Sequence, residues 1–159
     1  MGINNFDAPP AIWAECARVA KPQAQFVLTT NVKGHIDAFY AVYRDVLNDL
    51  GKSHYLGRLA ANEDHRGSSA SPRELVAAAR FDVTRIVEDH FHLRFLDGSA
   101  LLNHALPRFG FLDGWRAVVD PDDEQAVFVA LEACFNDLAR RDGALKMRIP
   151  MLYVEARRR

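Results

Sequence analysis

Two scarcities bound what this chain of 159 residues can be: it has only two cysteines, and its nine glycines stand singly. Cys16 and Cys134 lie far apart, each inside an apolar helical pattern. That describes reduced, buried thiols rather than a disulfide scaffold, and it suits a reducing compartment. Glycines so dispersed supply no glycine-rich loop of the kind that cradles phosphate groups. Long apolar runs are lacking too. No stretch approaches the length that spans a bilayer, and no apolar run follows a basic start as in a secretory signal, so the expectation is a cytoplasmic protein without membrane contact. Charge of one sign is equally absent. Twenty Lys and Arg stand against 21 Asp and Glu, a formal net charge of -1, which gives no electrostatic case for nucleic acid or an anionic membrane. The one basic cluster, Arg157-Arg158-Arg159, reads as a solvated tail. There is no internal repeat and no low-complexity segment.

What is present is an ordinary globular composition, 49% apolar and 26% charged. A chain of this size makes one domain, 1–159, burying roughly two-thirds of its unfolded surface. Asp7-Ala8-Pro9-Pro10 opens a short helix whose face is Ile12, Cys16 and Val19, and Lys21-Pro22 ends it. Gln25 to Asn31 is short, apolar and rich in strand formers, a strand buried on both faces. Phe39, Tyr43, Val46 and Leu50 then step by four, three and four along a helix that Gly51 stops. A further short helix is expected between Ser53 and Arg66. After a loop at Gly67-Ser68-Ser69-Ala70, Ser71-Pro72-Arg73-Glu74 forms a capping box.

Phe81 to Phe95 alternates. Val83, Val87, Phe91, Leu93 and Phe95 share one face, and Asp82, Thr84, Glu88, His90, His92 and Arg94 share the other, wet one. Residues 97–143 read as a mostly helical insert, with Val127, Leu131, Cys134 and Leu138 on the apolar face of its longest helix. Leu145 to Ala156 is the last strand, with Leu145, Met147, Ile149, Met151 and Tyr153 on one face. Pro150 cannot donate a ladder hydrogen bond, which puts this strand at an edge or makes it irregular there. The fold class is α/β.

Ala14-Glu15-Cys16-Ala17-Arg18-Val19-Ala20-Lys21-Pro22, followed by Gln25-Phe26-Val27-Leu28-Thr29-Thr30, resembles the helix and strand five of class I S-adenosylmethionine-dependent methyltransferases. Ser71-Pro72-Arg73-Glu74-Leu75 and Ala79-Arg80-Phe81-Asp82-Val83 resemble that family's last helix leading into strand six. The two alternating strands match its closing antiparallel pair. The resemblance covers residues 5–95 and 145–156. It implies a partial Rossmann-like sheet of strands equivalent to five, seven and six. It departs from the family where Gln23-Ala24 replaces a Gly-Gly pair and Arg80 replaces a glycine. Such glycines usually serve positive φ, so these turns are either rebuilt or strained. The family's glycine-rich loop and ribose-binding acid have no counterpart, so S-adenosylmethionine is implied by resemblance only, with weak or no binding by this chain alone.

The resemblance also assigns sites. Asn5 and Phe6 fall beside the cofactor. Thr30, Asn31 and His35, at the carboxyl end of the strand, face the substrate side, the end where open α/β sheets bind ligands. Thr30 and Asn31 read equally as caps of the next turn. His90 and His92 have the spacing of two metal ligands but no third nearby, so the polar face of a strand describes them and no metal site is expected. Glu63-Asp64-His65 and Glu88-Asp89-His90 set carboxylates next to histidines, yet adjacent residues of an element do not face each other. His104, Arg108, Trp115 and Arg116 belong to the insert, where such families build a substrate cap, while Tyr40 and Tyr43 read as core.

Two functions follow from the resemblance. The first is the substrate-side half of a methyltransferase acting on a small molecule, completed by a cofactor-binding half. The second is a non-catalytic remnant serving dimerisation or ligand binding. The strand at 25–31 would normally pair with a strand four that is absent here. Its open edge therefore implies a homodimer or a complex with the cofactor-binding half.

Overall fold

The computed structural model describes residues 9–65, 76 and 79–159. Asn5, Phe6, the Asp7-Ala8 cap, the Gly67-Ser68-Ser69-Ala70 loop and the Ser71-Pro72-Arg73-Glu74 capping box lie outside these. The chain divides into two compact units, Met1–His35 with Arg66–Phe91 and Ile149–Arg159, and Ile36–His65 with His92–Arg148.

In the first unit, α1 (Pro9–Val19) precedes β1 (Gln25–Asn31); the sheet has the order β1-β3-β2, and of β2 (Phe81–Phe95) and β3 (Leu145–Arg158) residues 81–91 and 149–158 belong to this unit. β1 runs antiparallel to β3, with Gln25 opposite Arg157 and Asn31 opposite Met151. β2 is antiparallel as well, because the Arg159 N–H reaches Arg80 O at 3.1 Å while the Thr84 hydroxyl reaches Glu155 O at 3.2 Å. Trp13, Val76, Ala79, Phe81, Leu152, Val154 and Ala156 form the core. The Phe26 ring lies 5.2 Å, centroid to centroid, from both Trp13 and Phe81. Tilted aromatic neighbours at this spacing add to the area they bury.

Gln23 (φ 65) and Arg80 (φ 62) both occupy the left-handed region. Of the two outcomes open for these glycine-type turns, strain is the one observed. Hydrogen bonds hold them: the Gln23 N–H donates to Arg158 O at 2.9 Å, and Arg80 O accepts from the Arg158 guanidinium and from the Arg159 N–H, each at 3.1 Å. The basic cluster is therefore no solvated tail. β3 extends to Arg158, and that side chain ties α1 down by donating from Nε to Ala17 O at 3.1 Å.

The second unit is mainly helical: α2 (Asp37–Asp49), a 3₁₀ turn at Ser53–Tyr55, α3 (Leu56–His65), α4 (Gly98–Asn103), α5 (Ala105–Gly110), α6 (Leu112–Arg116) and α7 (Pro121–Asp142). α7 has Pro121 in its first turn with Asp122, Asp123 and Glu124, and Arg140 and Arg141 in its last, a charge order that suits the helix dipole. Gly143, at φ 78, ends it. α2 and α4 both pack on α7. Phe39 is completely buried, stacking on Trp115 at 3.8 Å and Phe135 at 5.3 Å.

Several expectations are corrected. Of the two outcomes open at Pro150, irregularity is the one found: β3 is central, not an edge. The Val32 N–H donates to Pro150 O at 3.3 Å, and β1 ends at Asn31. The carbonyl and the missing N–H of one strand residue point to the same side. The proline therefore falls where the β1 ladder is already finishing. Burial along β3 also changes phase there. Leu145, Met147 and Ile149 are buried as expected, but beyond Pro150 it is Leu152, Val154 and Ala156 that enter the core, and Met151 and Tyr153 are only half-buried. β1 is not buried on both faces, since Gln25, Val27 and Thr29 are exposed; its only neighbour among the described strands is β3. Residues 88–92 of β2, Phe91 included, are exposed. On α7 the buried stripe is Val127, Leu131, Phe135 and Ala139, a strict four-residue step, while Cys134 and Leu138 flank it.

Candidate functional site

The carboxyl end of β1 is built by the last buried pair of its ladder. Thr30 is 4% exposed, and its hydroxyl donates to Asn31 O at 3.2 Å. The Asn31 side-chain oxygen is shielded from solvent and accepts no hydrogen bond from any described residue. Such an acceptor costs on the order of 1–3 kcal/mol when left unmade, so it is a standing invitation to an N–H or O–H donor. Both ring nitrogens of His35 are likewise out of solvent. Gly34, at φ 90, turns the chain away from the strand. The strand thus brings Thr30 and Asn31 together at one end, with His35 following the turn, while Asn5 and Phe6 lie outside the described residues.

Ile36, in the second unit, caps α2 at φ 50 and donates its N–H to Arg148 O at 3.0 Å. A β-branched side chain in this region is a genuine conformational outlier. It lines an apolar cavity of about 20 Å³ together with Phe39, Phe95, Phe111, Trp115 and Met147. The Trp115 indole N–H is buried and makes no hydrogen bond to a described residue. The volume is about that of a single water, but walls so apolar offer no second polar partner to hold one.

The same unit carries a charged network that the sequence did not announce. The Tyr55 hydroxyl lies 3.0 Å from Asp120 Oδ2 and 2.8 Å from Asp123 Oδ2. Arg58 pairs with Asp120 at 2.7 Å, and Lys52 with Asp123 at 2.6 Å. Hydrogen bonds from Arg58 and then Tyr55 hold the Asp120 carboxyl below its usual range, and those from Lys52 and then Tyr55 do the same for Asp123. Burial, followed by the bond to Asp123, raises the Tyr55 phenol. Every charge in it is answered, so it reads as a clamp on the start of α7. Lys52, Tyr55 and Arg58 lie more than 60 residues from Asp120 and Asp123 in sequence, and no local pattern could have brought the two groups together.

The remaining candidates are accounted for locally. Glu63 pairs with Arg44 at 2.7 Å, and Arg116 with Glu124 at 3.1 Å. His104 caps α5, its Nδ1 accepting from the Leu106 N–H at 3.1 Å. Tyr40 and Tyr43 are buried, and the Tyr43 hydroxyl donates to Trp115 O at 3.0 Å. Burial, and then Glu124, pushes the Tyr43 phenol far up. His90 and His92 stand on the exposed stretch of β2. Among the described residues no three His, Cys, Asp or Glu side chains gather as a metal site, and no helix is long and apolar enough to cross a membrane.

No protein-family model matches the chain, and no curated protein matches it. Among solved structures it is similar to a Bacillus halodurans C-125 protein described as a "putative methyltransferase", at 16% identity and a TM-score of 0.47, with 99% of this chain and 66% of that one covered. The chain thus spans just under two thirds of that neighbour's length.

Proposed function

We propose that the chain is the substrate-side half of an S-adenosylmethionine-dependent methyltransferase acting on a small molecule, completed by a cofactor-binding half. The observation that carries this reading is the sheet order β1-β3-β2, with the last strand antiparallel between the other two. That is the order the sequence resemblance implies for strands five, seven and six. The strained turns support it: Gln23 and Arg80 keep a glycine-type backbone that a remnant released from its old geometry would have no reason to retain.

In this reading Thr30, Asn31 and His35 form the substrate wall, and the Asn31 side-chain oxygen accepts a hydrogen bond from the molecule to be methylated. In-line displacement needs mainly positioning, which is what such a fixed acceptor supplies. The described residues do not by themselves fit the cofactor. The left-handed glycines, Gly34, Gly51 and Gly143, stand alone at separate turns, and no acid is placed to hold a ribose. Asn5 and Phe6 are this chain's proposed contribution beside the cofactor.

The test combines the flanking DNA with co-purification. A neighbouring frame coding for a glycine-rich strand–helix unit, whose product co-purifies with this chain and confers S-adenosylmethionine binding on the pair, is the expected result. Micromolar binding of S-adenosylmethionine by this chain alone, read by calorimetry, overturns the division into halves.

A further inference from the structure

The first unit contains a concavity of about 280 Å³ lined by Ala14, Ala17, Arg18, Ala79, Arg80 and Arg158. Among the described residues three alanines make an apolar floor, every other lining residue is an arginine, and the charges do not cancel. Arg18 is answered by Glu15 in a two-pronged pair at 2.7 and 2.6 Å, and Arg159, outside the pocket, is answered by Asp82 at 2.7 Å. Neither Arg80 nor Arg158 has a carboxylate partner among the described residues, and both line the same hollow.

The two arginines are held differently, and each way is informative. Arg158 is preorganised. Its Nε and Nη1 donate to Ala17 O and Arg80 O at 3.1 Å each, and its guanidinium lies 5.9 Å from the centre of the Phe81 ring. Two of its donors are spent on the backbone, and Nη2 has no partner among the described residues. Arg80 sits at φ 62, a conformation that glycine would adopt without strain. No contact of the Arg80 side chain with a described residue explains why an arginine stands there. Backbone strain retained beside a charged hollow is compatible with a use of the side chain there.

We propose that this hollow binds the phosphate of a small phosphomonoester. A phosphomonoester carries close to two negative charges at neutral pH and three strong acceptor oxygens, matching the two uncompensated guanidiniums. Arginine forks fit phosphate oxygens in pairs, with direction as well as charge. The volume lies near the lower end of small-molecule sites. It exceeds what a bare ion fills, so the organic part of the ligand rests on Ala14, Ala17 and Ala79. This site is separate from the end of β1 and stands whether or not the methyltransferase reading does.

The experiment follows arginine Nε–Hε resonances of the whole chain during titration with inorganic phosphate and with glycerol 3-phosphate, against chloride at constant ionic strength. Saturable shifts at Arg80 and Arg158, tighter for glycerol 3-phosphate, are expected. Arg80→Gly should weaken binding about tenfold, the loss of one charge-assisted hydrogen bond, and at the same time raise the melting temperature. A merely structural arginine cannot produce that opposed pair of effects. Ala14→Glu, an exposed position, places a carboxylate over the hollow and should abolish the shifts with the fold intact. An equal response to chloride, or unchanged affinity in Arg80→Gly, overturns the proposal. Binding to phosphatidic acid vesicles with no response to soluble phosphate overturns its small-molecule form.

Discussion

Gln23 holds a backbone conformation that costs a residue with a Cβ about 1–2 kcal/mol. Glycine removes that cost but gives the unfolded chain about 0.5–1 kcal/mol more freedom to lose. Gln23→Gly is therefore expected to stabilise the protein by up to about 1 kcal/mol, read as a higher urea midpoint; a lower midpoint would show that the side chain contributes more than its strain costs. Asn31 gives the converse case. Its unmade hydrogen bond makes Asn31→Leu neutral or stabilising by denaturant unfolding, and a large loss of stability would remove the argument that the amide is kept for a ligand. Both Gln23 and Arg80 were legible in the sequence as side chains standing where a turn wants glycine. Ile36 was not, because nothing in a sequence leads one to expect a β-branched residue at φ 50.

Strand and helix boundaries followed closely from periodicity, since alternation and four-residue stepping are local. The faces followed less well, since they depend on what each stretch packs against. β3 shows this directly: the same alternation runs through Pro150, but the residues buried on either side of it are out of phase. The meeting of α4 with α7 was hidden for a related reason. A Cβ on Gly98 would lie 2.7 Å from Glu132 O and 2.9 Å from the Phe135 Cβ, both across a tertiary contact. Gly98→Ala is accordingly expected to cost about 1–3 kcal/mol, the usual range for overpacking, and an unchanged thermal midpoint would show that α4 can move off at no cost. The clamp at the start of α7 gives a pH dependence of definite sign. Asp120 and Asp123 are held below ordinary carboxylate values by Arg58 and Lys52, so their contribution is fully present above about pH 4 and drains away as pH falls through the lower folded values. The denaturation midpoint should drop more steeply below about pH 4 in the wild type than in the Asp120→Asn, Asp123→Asn double variant. Parallel curves would assign the clamp no role.

At the scale of the whole molecule, β1 is the strand whose outer edge no described strand covers. Its hydrogen bonding to β3 can be assigned from the ends of the ladder. The Arg158 N–H donates to Ala24 O at 2.9 Å and the Val32 N–H donates to Pro150 O at 3.3 Å, so even-numbered residues of the strand turn their backbone groups to β3. Gln25, Val27, Thr29 and Asn31 therefore present theirs outward, where no described strand meets them. Val27 adds an apolar side chain that is 46% exposed. Natural edges are normally blunted by lysine, proline or a bulge, and this one carries none of these. Self-association through it, or pairing with a cofactor-binding half, is the expected behaviour. Thr29→Pro removes one outward donor without touching the ladder to β3, a position at which edge strands accept proline. Light scattering at micromolar concentration should show the wild type larger than a monomer and Thr29→Pro shifted toward one, with an unchanged circular dichroism spectrum. A monomeric wild type, or an assembly indifferent to Thr29→Pro, would mean that the outward row of β1 is not where this chain meets its neighbour.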